Sequence, residues 1–201
     1  AMTKEGATDC SGAANTADEA FEYGYGLPAN AAMGNWTASV KAYEGTEGTV
    51  TDTGNGAFNV SSLVVTKTVQ VISDPVETTL RPKSIPGAIV QYTVSVQNNG
   101  SGPADNNSLT ITDPVPAHTA FYLSGATPFI FTDGSPSSGL SAPVMSFSNN
   151  GGGTYTYVPS CTRPCTDPGI TNIKLNFNGS MNGKTGGADP SFTISYEVVI
   201  Q

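Results

Sequence analysis

The chain has 201 residues, which is enough for one ordinary domain with an appended segment and for a sizeable hydrophobic core. Charged residues make up only 12% of it, whereas Gly (23) and Pro (14) are abundant, a composition typical of β-rich extracellular proteins. The formal net charge of −8 opposes contact with a phosphate backbone, so we expect no nucleic-acid partner. Since no run approaches the roughly 18 apolar residues of a membrane-spanning helix, we also expect no membrane insertion.

The first 60 residues are predicted to form a distinct N-terminal extension. They are rich in Ala, Gly and acidic residues and lack sustained periodicity, except in NWTASVKAY at residues 35–43. Apolar residues alternate with polar ones in that stretch, which predicts a β-strand; they are Trp36, Ala38, Val40 and Ala42. AFNV at residues 57–60 is a candidate continuation of this strand. Because a single strand cannot pair its own backbone, we expect it to add to a sheet edge, in its own domain or in a neighbouring molecule.

Residues 61–201 carry a series of alternating segments separated by turn residues. Nine candidate strands result, at residues 63–72, 88–97, 108–113, 119–124, 128–133, 144–148, 154–159, 172–178 and 191–200. The second strand places Val90, Tyr92, Val94 and Val96 on one face, so that this face meets a core and the other meets water. Without a helical period between the strands, the pattern predicts an all-β fold, an antiparallel β-sandwich of immunoglobulin-like type, with a closed barrel as the alternative.

Three cysteines are present, Cys10, Cys161 and Cys165. The sole histidine is His118, and so few thiols and imidazoles argue against a zinc site. The CTRPC spacing is one residue longer than the C-x-x-C redox motif and lies in a Pro-rich turn, so we predict a local disulfide between Cys161 and Cys165 in an oxidising compartment. The alternatives are a bridge from Cys10 to either of them or to another molecule.

The residues that could perform chemistry are scattered along the chain. Most Asp and Glu residues lie in Gly-rich turns or in the extension, rather than in converging pairs. We expect Asp113, in TDPVP, to cap a turn at a strand end, and His118 to lie exposed in a loop without a nucleophilic partner. The clusters DTGNG and ADNN lack the ligand spacing of a calcium loop. The sequence therefore predicts no enzyme active site, no metal site and no cofactor.

Lys67 lies in the middle of VVTKTVQV, on the same face as the apolar residues of that strand. A buried ammonium group is costly without a partner, so the side chain either reaches the sheet edge or meets a carboxylate or amide inside. Asp113 is the candidate partner of Lys67 in a buried polar pair. A further alternative is an isopeptide bond from Lys67 to Asn176 or Asn178, with Asp113 nearby.

Part of the chain resembles a known family. VVTKTVQVISDPV followed by IPGAIVQYTVSVQNNGSGPADNNSLTITDPVPAHTAFY is similar to the bacterial surface repeat called domain of unknown function eleven. The resemblance covers about residues 63–123, and the matching positions are Lys67, Pro86, Gly87, Tyr92, Asn98, Gly100, Thr112, Asp113 and Pro116. It implies an immunoglobulin-like module of secreted or cell-surface proteins of bacteria, with no catalytic residues to carry over.

One such module with a spare N-terminal strand leads to a functional hypothesis. We expect a non-enzymatic structural subunit of the bacterial cell surface, secreted and polymerising with copies of itself into an extracellular filament. The strand at residues 35–43 would be the donor and an edge of the sandwich the acceptor. The alternative is an adhesion module that binds carbohydrate or a host surface through exposed loops such as residues 125–139, or through Trp36, Tyr155 and Tyr157.

Overall fold

The structure is a computed structural model that describes residues 60–201 in full. Of residues 1–59 it describes only the backbone of four strands: β1 (Thr3–Lys4), β2 (Phe21–Glu22), β3 (Asn35–Tyr43) and β4 (Val50–Asn59). β1 pairs antiparallel with β2, and β3 pairs antiparallel with β4. The chain divides into two units, residues 1–32 and residues 33–201.

The strand predicted at residues 35–43 is present as β3, but it is not a lone strand. Its ladder with β4 runs from the pair Asn35–Asn59 to the pair Tyr43–Val50. β4 begins well before the AFNV segment that was expected to extend the strand. The donor strand of the sequence hypothesis is therefore one half of a hairpin. The side chains of its alternating apolar residues lie outside the described residues; these are Trp36, Ala38, Val40 and Ala42.

Residues 63–200 form nine further strands and no helix. The strands are β5 (Leu63–Ser73), β6 (Ile89–Asn98), β7 (Thr110–Pro114), β8 (Thr119–Leu123), β9 (Phe129–Asp133), β10 (Val144–Ser148), β11 (Cys165–Asp167), β12 (Asn172–Asn176) and β13 (Ser191–Ile200). All of them pair antiparallel. The predicted all-β fold with antiparallel sheets is confirmed, and it is compatible with a β-sandwich.

These nine strands are arranged in two sheets. The larger sheet has the order β11-β8-β13-β6-β5, and β9 pairs with the half of β13 that β8 leaves free. The smaller sheet has the order β10-β12-β7. Within residues 60–201, β5 pairs only with β6 and β7 only with β12, so the strands form two separate sheets rather than one closed sheet.

Two elements differ from the prediction. The segment TYTYVP at residues 154–159 is not a strand, because Tyr157 alone bridges to Phe147, donating its N–H to the carbonyl at 3.0 Å. The Tyr157 hydroxyl donates a hydrogen bond to the Asp167 carboxylate, so this side chain is bound to the segment that forms β11. The strand that the pattern missed is β11, which has three residues and pairs with β8. An alternation of three residues is too short to be distinguished from a turn.

The hydrophobic core lies between the two sheets. Phe121 of the larger sheet packs edge-on against Phe147 of the smaller one, with ring centroids 5.6 Å apart, and Phe177 packs on Phe192 at 4.8 Å. Further fully buried side chains come from both sheets, among them Leu123, Ile173, Leu175 and Ile194. The apolar faces of β6 and β13 are thus buried, as their alternation predicts.

Candidate assembly site

β5 is an edge strand whose inward face is largely uncovered. Its register with β6 pairs Val65 with Val96 and Val69 with Tyr92. Directly opposed residues of an antiparallel pair project to the same face, so Val65 and Val69 lie on the side of the buried Val96. Yet Val65 is 59% exposed and Val69 is 61% exposed, whereas Val96 is 1% exposed. The apolar strip of β5 therefore continues the core face beyond the area that the smaller sheet covers.

Lys67 lies between these two valines and reaches across to the smaller sheet. Its ammonium group is 2.7 Å from Oδ1 and 2.6 Å from Oδ2 of Asp113 on β7. The Tyr196 hydroxyl, on β13, donates to Oδ2 of Asp113 at 2.6 Å. The ammonium group also lies over the Tyr92 ring, 4.5 Å from its centroid. The structure thus brings together the two residues of the predicted polar pair, and it joins them to Tyr196.

The burial of this cluster is uneven. The Asp113 side chain is 12% exposed, while that of Lys67 is 35% exposed. Desolvation and the hydrogen bond to the Asp113 carboxylate raise the pKa of Tyr196, so its hydroxyl remains a donor well above neutral pH. A carboxylate at this depth is costly without partners, and here two side-chain donors compensate it. The cluster is therefore a polar contact that holds the edge strand β5 to the smaller sheet.

The turn-capping role expected for Asp113 is wrong, and no contact supports the isopeptide alternative through Asn176. Asp113 does not cap a turn, because it lies within β7 and its carboxylate contacts Lys67 and Tyr196. Asn176 does not contact Lys67, since it is exposed on β12 and accepts a hydrogen bond from the Thr110 hydroxyl at 3.1 Å. Its neighbours on either side are buried, so its side chain lies on the outward face, away from the ammonium group.

The chain enters β5 along a fixed, extended path. Oδ1 of Asn98 accepts the N–H of Ser62 at 2.9 Å. The carbonyl groups of Ser62 and Val60 accept the N–H groups of Asn99 and Gly102, both at 3.0 Å. Residues 60–62 therefore prolong β5 beside the loop that follows β6, and they do not turn back.

The sequence pattern did not reveal the role of Asn98, which lies one residue beyond the strand predicted at residues 88–97. Asn98 is fully buried and makes four hydrogen bonds, including donation from Nδ2 to the carbonyls of Gly102 and Asn182. The available signal was the Asn-x-Gly pattern. Asn98 supplies the bonds, and Gly100 supplies the space, because a Cβ atom there would overlap the Val60 carbonyl oxygen.

Other predicted residues lie elsewhere in the domain. Cys161 and Cys165 form the predicted disulfide, with Cα atoms 6.2 Å apart. Cys10 lies outside the described residues. His118 is exposed in a turn with φ of 60°, and its carbonyl accepts the N–H of Gln201 at 2.8 Å, in line with the expected solvated loop position.

The features considered for adhesion are only partly available at the surface. The Tyr157 hydroxyl donates to Asp167 at 3.0 Å and its ring packs against the core; the hydrogen bond to Asp167 raises the pKa of this phenol. The Tyr155 ring lies 5.3 Å from the ammonium group of Lys174. Residues 125–139, named for adhesion, include β9, which corresponds to the strand predicted at residues 128–133 and pairs with β13, so the loops of this stretch lie on either side of β9.

One hollow on the described part of the chain is lined only by uncharged residues. This hollow of about 480 Å³ is lined by Pro, Ser, Asn, Gly and Thr residues between Ser101 and Pro190, none of them ionisable. No group of three or more His, Cys, Asp or Glu residues among those described could hold a metal ion. Within the same residues, no helix is long and apolar enough to cross a bilayer.

Comparison with known proteins gives no match. The chain matches no family model, no curated protein and no solved structure. The uncovered face of β5, with Lys67 in its middle and the anchored entry at residues 60–62, is therefore the feature on which a functional proposal rests.

Proposed function

We propose that residues 61–201 form an immunoglobulin-like β-sandwich and that the chain is a non-enzymatic structural subunit of the bacterial cell surface. It assembles with copies of itself into an extracellular filament, in which the N-terminal strand of one subunit completes the domain of the next. The observation that carries this proposal is the uncovered inward face of β5, where Val65 and Val69 are more than half exposed.

An uncovered apolar face at a sheet edge is unfavourable in a protein that stays alone in water. Leu63, Val65 and Val69 form a strip beside an edge of β5 that has no partner within residues 60–201, and both features promote pairing with another strand. The one charge on β5 is that of Lys67, and Asp113 neutralises it. The inward face of β5 is therefore suited to contact an added strand rather than to repel one.

Two further observations support the location and the class. The disulfide between Cys161 and Cys165 supports an oxidising compartment, such as the outside of a cell. The resemblance to domain of unknown function eleven supports a bacterial surface module. Three of the matching residues hold β5 in place: Lys67, Asn98 and Asp113. Their structural role is consistent with their presence in the family pattern.

Two truncated chains, compared with the full chain, test the proposal. The first lacks residues 1–59 and keeps Val60, because its carbonyl is bonded to Gly102. Among the residues that the structure describes, those of the core cluster lie at or after Val71, so we expect this chain to be a folded monomer. The second lacks only residues 1–32, keeps β3 and β4, and should still assemble. Light scattering after size-exclusion chromatography and electron microscopy measure the assembly.

The expected result is filaments from the full chain and from residues 33–201, and monomers from residues 60–201. Filaments of the 60–201 chain would overturn the role of the extension. A full chain that remains monomeric at every concentration would overturn assembly altogether.

A further inference from the structure

We infer that the acceptor is the open side between β5 and β7, and that its occupant is β3 of a second copy of this chain. The added strand extends the smaller sheet beyond β7 and lays its apolar residues on Val65 and Val69. The inference rests on the proposed assembly, and it specifies which face takes part and which strand enters.

The smaller sheet is too narrow to cover the larger one on this side. Lys67 reaches Asp113 on β7 through the length of its side chain, but its shorter neighbours on the same face, Val65 and Val69, stay exposed. Val71, farther along that face, already packs against the core. The uncovered patch is thus bounded by β7, by the edge of β5 and by the core at Val71.

Both strands that border the opening have a free backbone edge. Within residues 60–201, β5 pairs only with β6 and β7 only with β12. Packed sheets lie about 10 Å apart, so a strand bonded to the free edge of β7 lies over the inward face of β5. Since β7 spans only five residues, the backbone ladder is short and the apolar contacts with β5 supply the rest of the binding energy.

The path of the chain favours a second copy as the occupant. Only residues 60–62 separate β4 from β5, and hydrogen bonds to Asn98, Asn99 and Gly102 hold them extended. β4 therefore cannot fold back on β5 through a tight turn. Among the described strands, β3 and β4 pair with each other and with no strand of the sandwich, which leaves them available to a neighbour.

β3 has the length and pattern that the opening requires. It spans nine residues, enough to run along β5 from Leu63 to Val71. In the β3–β4 ladder, Ala38 is opposed by Gly56 and Val40 by Gly54. By sequence, the face of the hairpin that carries Ala38 and Val40 therefore has glycines opposite them. Such small residues allow close approach to the valines of β5.

Paired substitutions on β5 of the full chain test the assigned face. Val69→Gln adds a polar side chain to the inward face, and the control Thr68→Gln adds the same side chain to the outward face one residue away. We expect Val69→Gln to raise the concentration at which half of the chains assemble by ~10-fold or more, and Thr68→Gln to change it by less than ~2-fold. Thermal melting of each variant in the 60–201 chain verifies that both still fold.

Cysteine trapping identifies the occupant. In a Cys10→Ser background, Cys161 and Cys165 remain bonded to each other. Chains carrying Ala38→Cys, Val40→Cys or Ala42→Cys are mixed with chains carrying Val69→Cys or the control Thr68→Cys. At least one of the three should form a disulfide-linked dimer with Val69→Cys, and none should do so with Thr68→Cys.

The outcomes separate this inference from the proposed function. If Val69→Gln assembles as the wild type does while the 60–201 chain is monomeric, the assigned acceptor face is wrong but the proposed filament stands. Trapping within a single chain that carries both Val40→Cys and Val69→Cys would overturn the second copy as occupant. A closed dimer trapped between two copies would support the acceptor and overturn the filament. Failure of the full chain to assemble at all would overturn both.

Discussion

β5 and β13 share a sequence pattern but differ in environment. Both alternate apolar and polar residues over ten residues or more. The inward residues Phe192, Ile194 and Val198 of β13 are 1% exposed or less, whereas Val65 and Val69 of β5 are more than half exposed. β13 has β6 on one side, β8 and β9 on the other, and the smaller sheet above it, while β5 has one neighbour within residues 60–201. Alternation therefore defines a strand, but its neighbours decide how much its apolar face contributes to stability.

The two strands are also held in place by different interactions. Burial of apolar side chains stabilises β13, whereas polar contacts hold β5 at three points along its length. Asn98 binds the residues that lead into it, Asp113 binds Lys67 in its middle, and Asp74 organises the turn that follows it. The following variants alter one contact at a time.

The largest effect should come from the central strand. Ile194→Ala removes a fully buried side chain and leaves a cavity, so we expect the free energy of unfolding to fall by about 2–5 kcal/mol. Val69→Ala on the edge strand should change it by less than about 0.5 kcal/mol. Denaturant unfolding of the 60–201 chain measures both values. Equal losses for the two variants would mean that the inward face of β5 is covered.

The entry into β5 should be the next most sensitive point. In Gly100→Ala, the new Cβ would overlap the Val60 carbonyl oxygen and lie 2.5 Å from the Ser62 nitrogen, so the backbone must shift. We expect a loss of about 1–3 kcal/mol and faster hydrogen exchange at the Gly102 N–H. Gly125→Ala is the matched control, because no atom lies within 4 Å of its added Cβ. A neutral Gly100→Ala would show that residues 60–62 are not held against the loop.

The middle of β5 depends on the Asp113 carboxylate. Asp113→Ala leaves the Lys67 ammonium and the Tyr196 hydroxyl without this acceptor, and we expect a loss of about 1–3 kcal/mol. The figure stays below that of a fully buried ion pair because the Lys67 side chain is 35% exposed. Tyr196→Phe removes one of the two donors and should cost less in the same unfolding measurement. A larger loss for Tyr196→Phe than for Asp113→Ala would contradict the arrangement.

The smallest effect should be the pH dependence of the turn after β5. The Asp74 carboxylate accepts the N–H groups of Glu77, Lys83 and Val76 at 2.6 to 2.7 Å, and these bonds, that from Glu77 first, lower its pKa below 3.8. Because the folded pKa is depressed, the stabilisation is complete above about pH 4 and is lost as the pH falls through the folded value. The difference in unfolding free energy between the wild type and Asp74→Ala should therefore shrink below pH 3.8. A difference that stays constant down to pH 2 would assign the stabilisation to another group.

The positions of most strands along the chain could be predicted, because a strand depends on local alternation. Eight of the nine candidate strands in residues 61–201 correspond to observed strands, often within one or two residues. The errors occur where local pattern and long-range contact disagree. TYTYVP alternates, but the Tyr157 hydroxyl is bonded to Asp167 and the segment forms no strand. The short β11 is defined by its pairing with β8 rather than by its own pattern.

The candidate site was predicted only in fragments. The pairing of Lys67 with Asp113 followed from the cost of burying an ammonium group. The Tyr196 hydroxyl lies 83 residues from Asp113 in sequence, and no local pattern predicts its hydrogen bond to that carboxylate. Asn98 reads as a polar loop residue until Ser62, Gly102 and Asn182 are seen around it. Burial of a polar side chain depends on partners that are distant in sequence.

The sequence by itself determined the alternation of β5, β6 and β13 and the acidic, weakly charged composition, and it correctly predicted the all-β class and the local disulfide. These properties depend on neighbouring residues or on simple counts. Only the tertiary structure decided that β13 is central and β5 is an edge, and that a sheet of three strands faces a wider one. The width of a sheet follows from how all of its strands pair, so the exposure of Val65 and Val69 has no local signature.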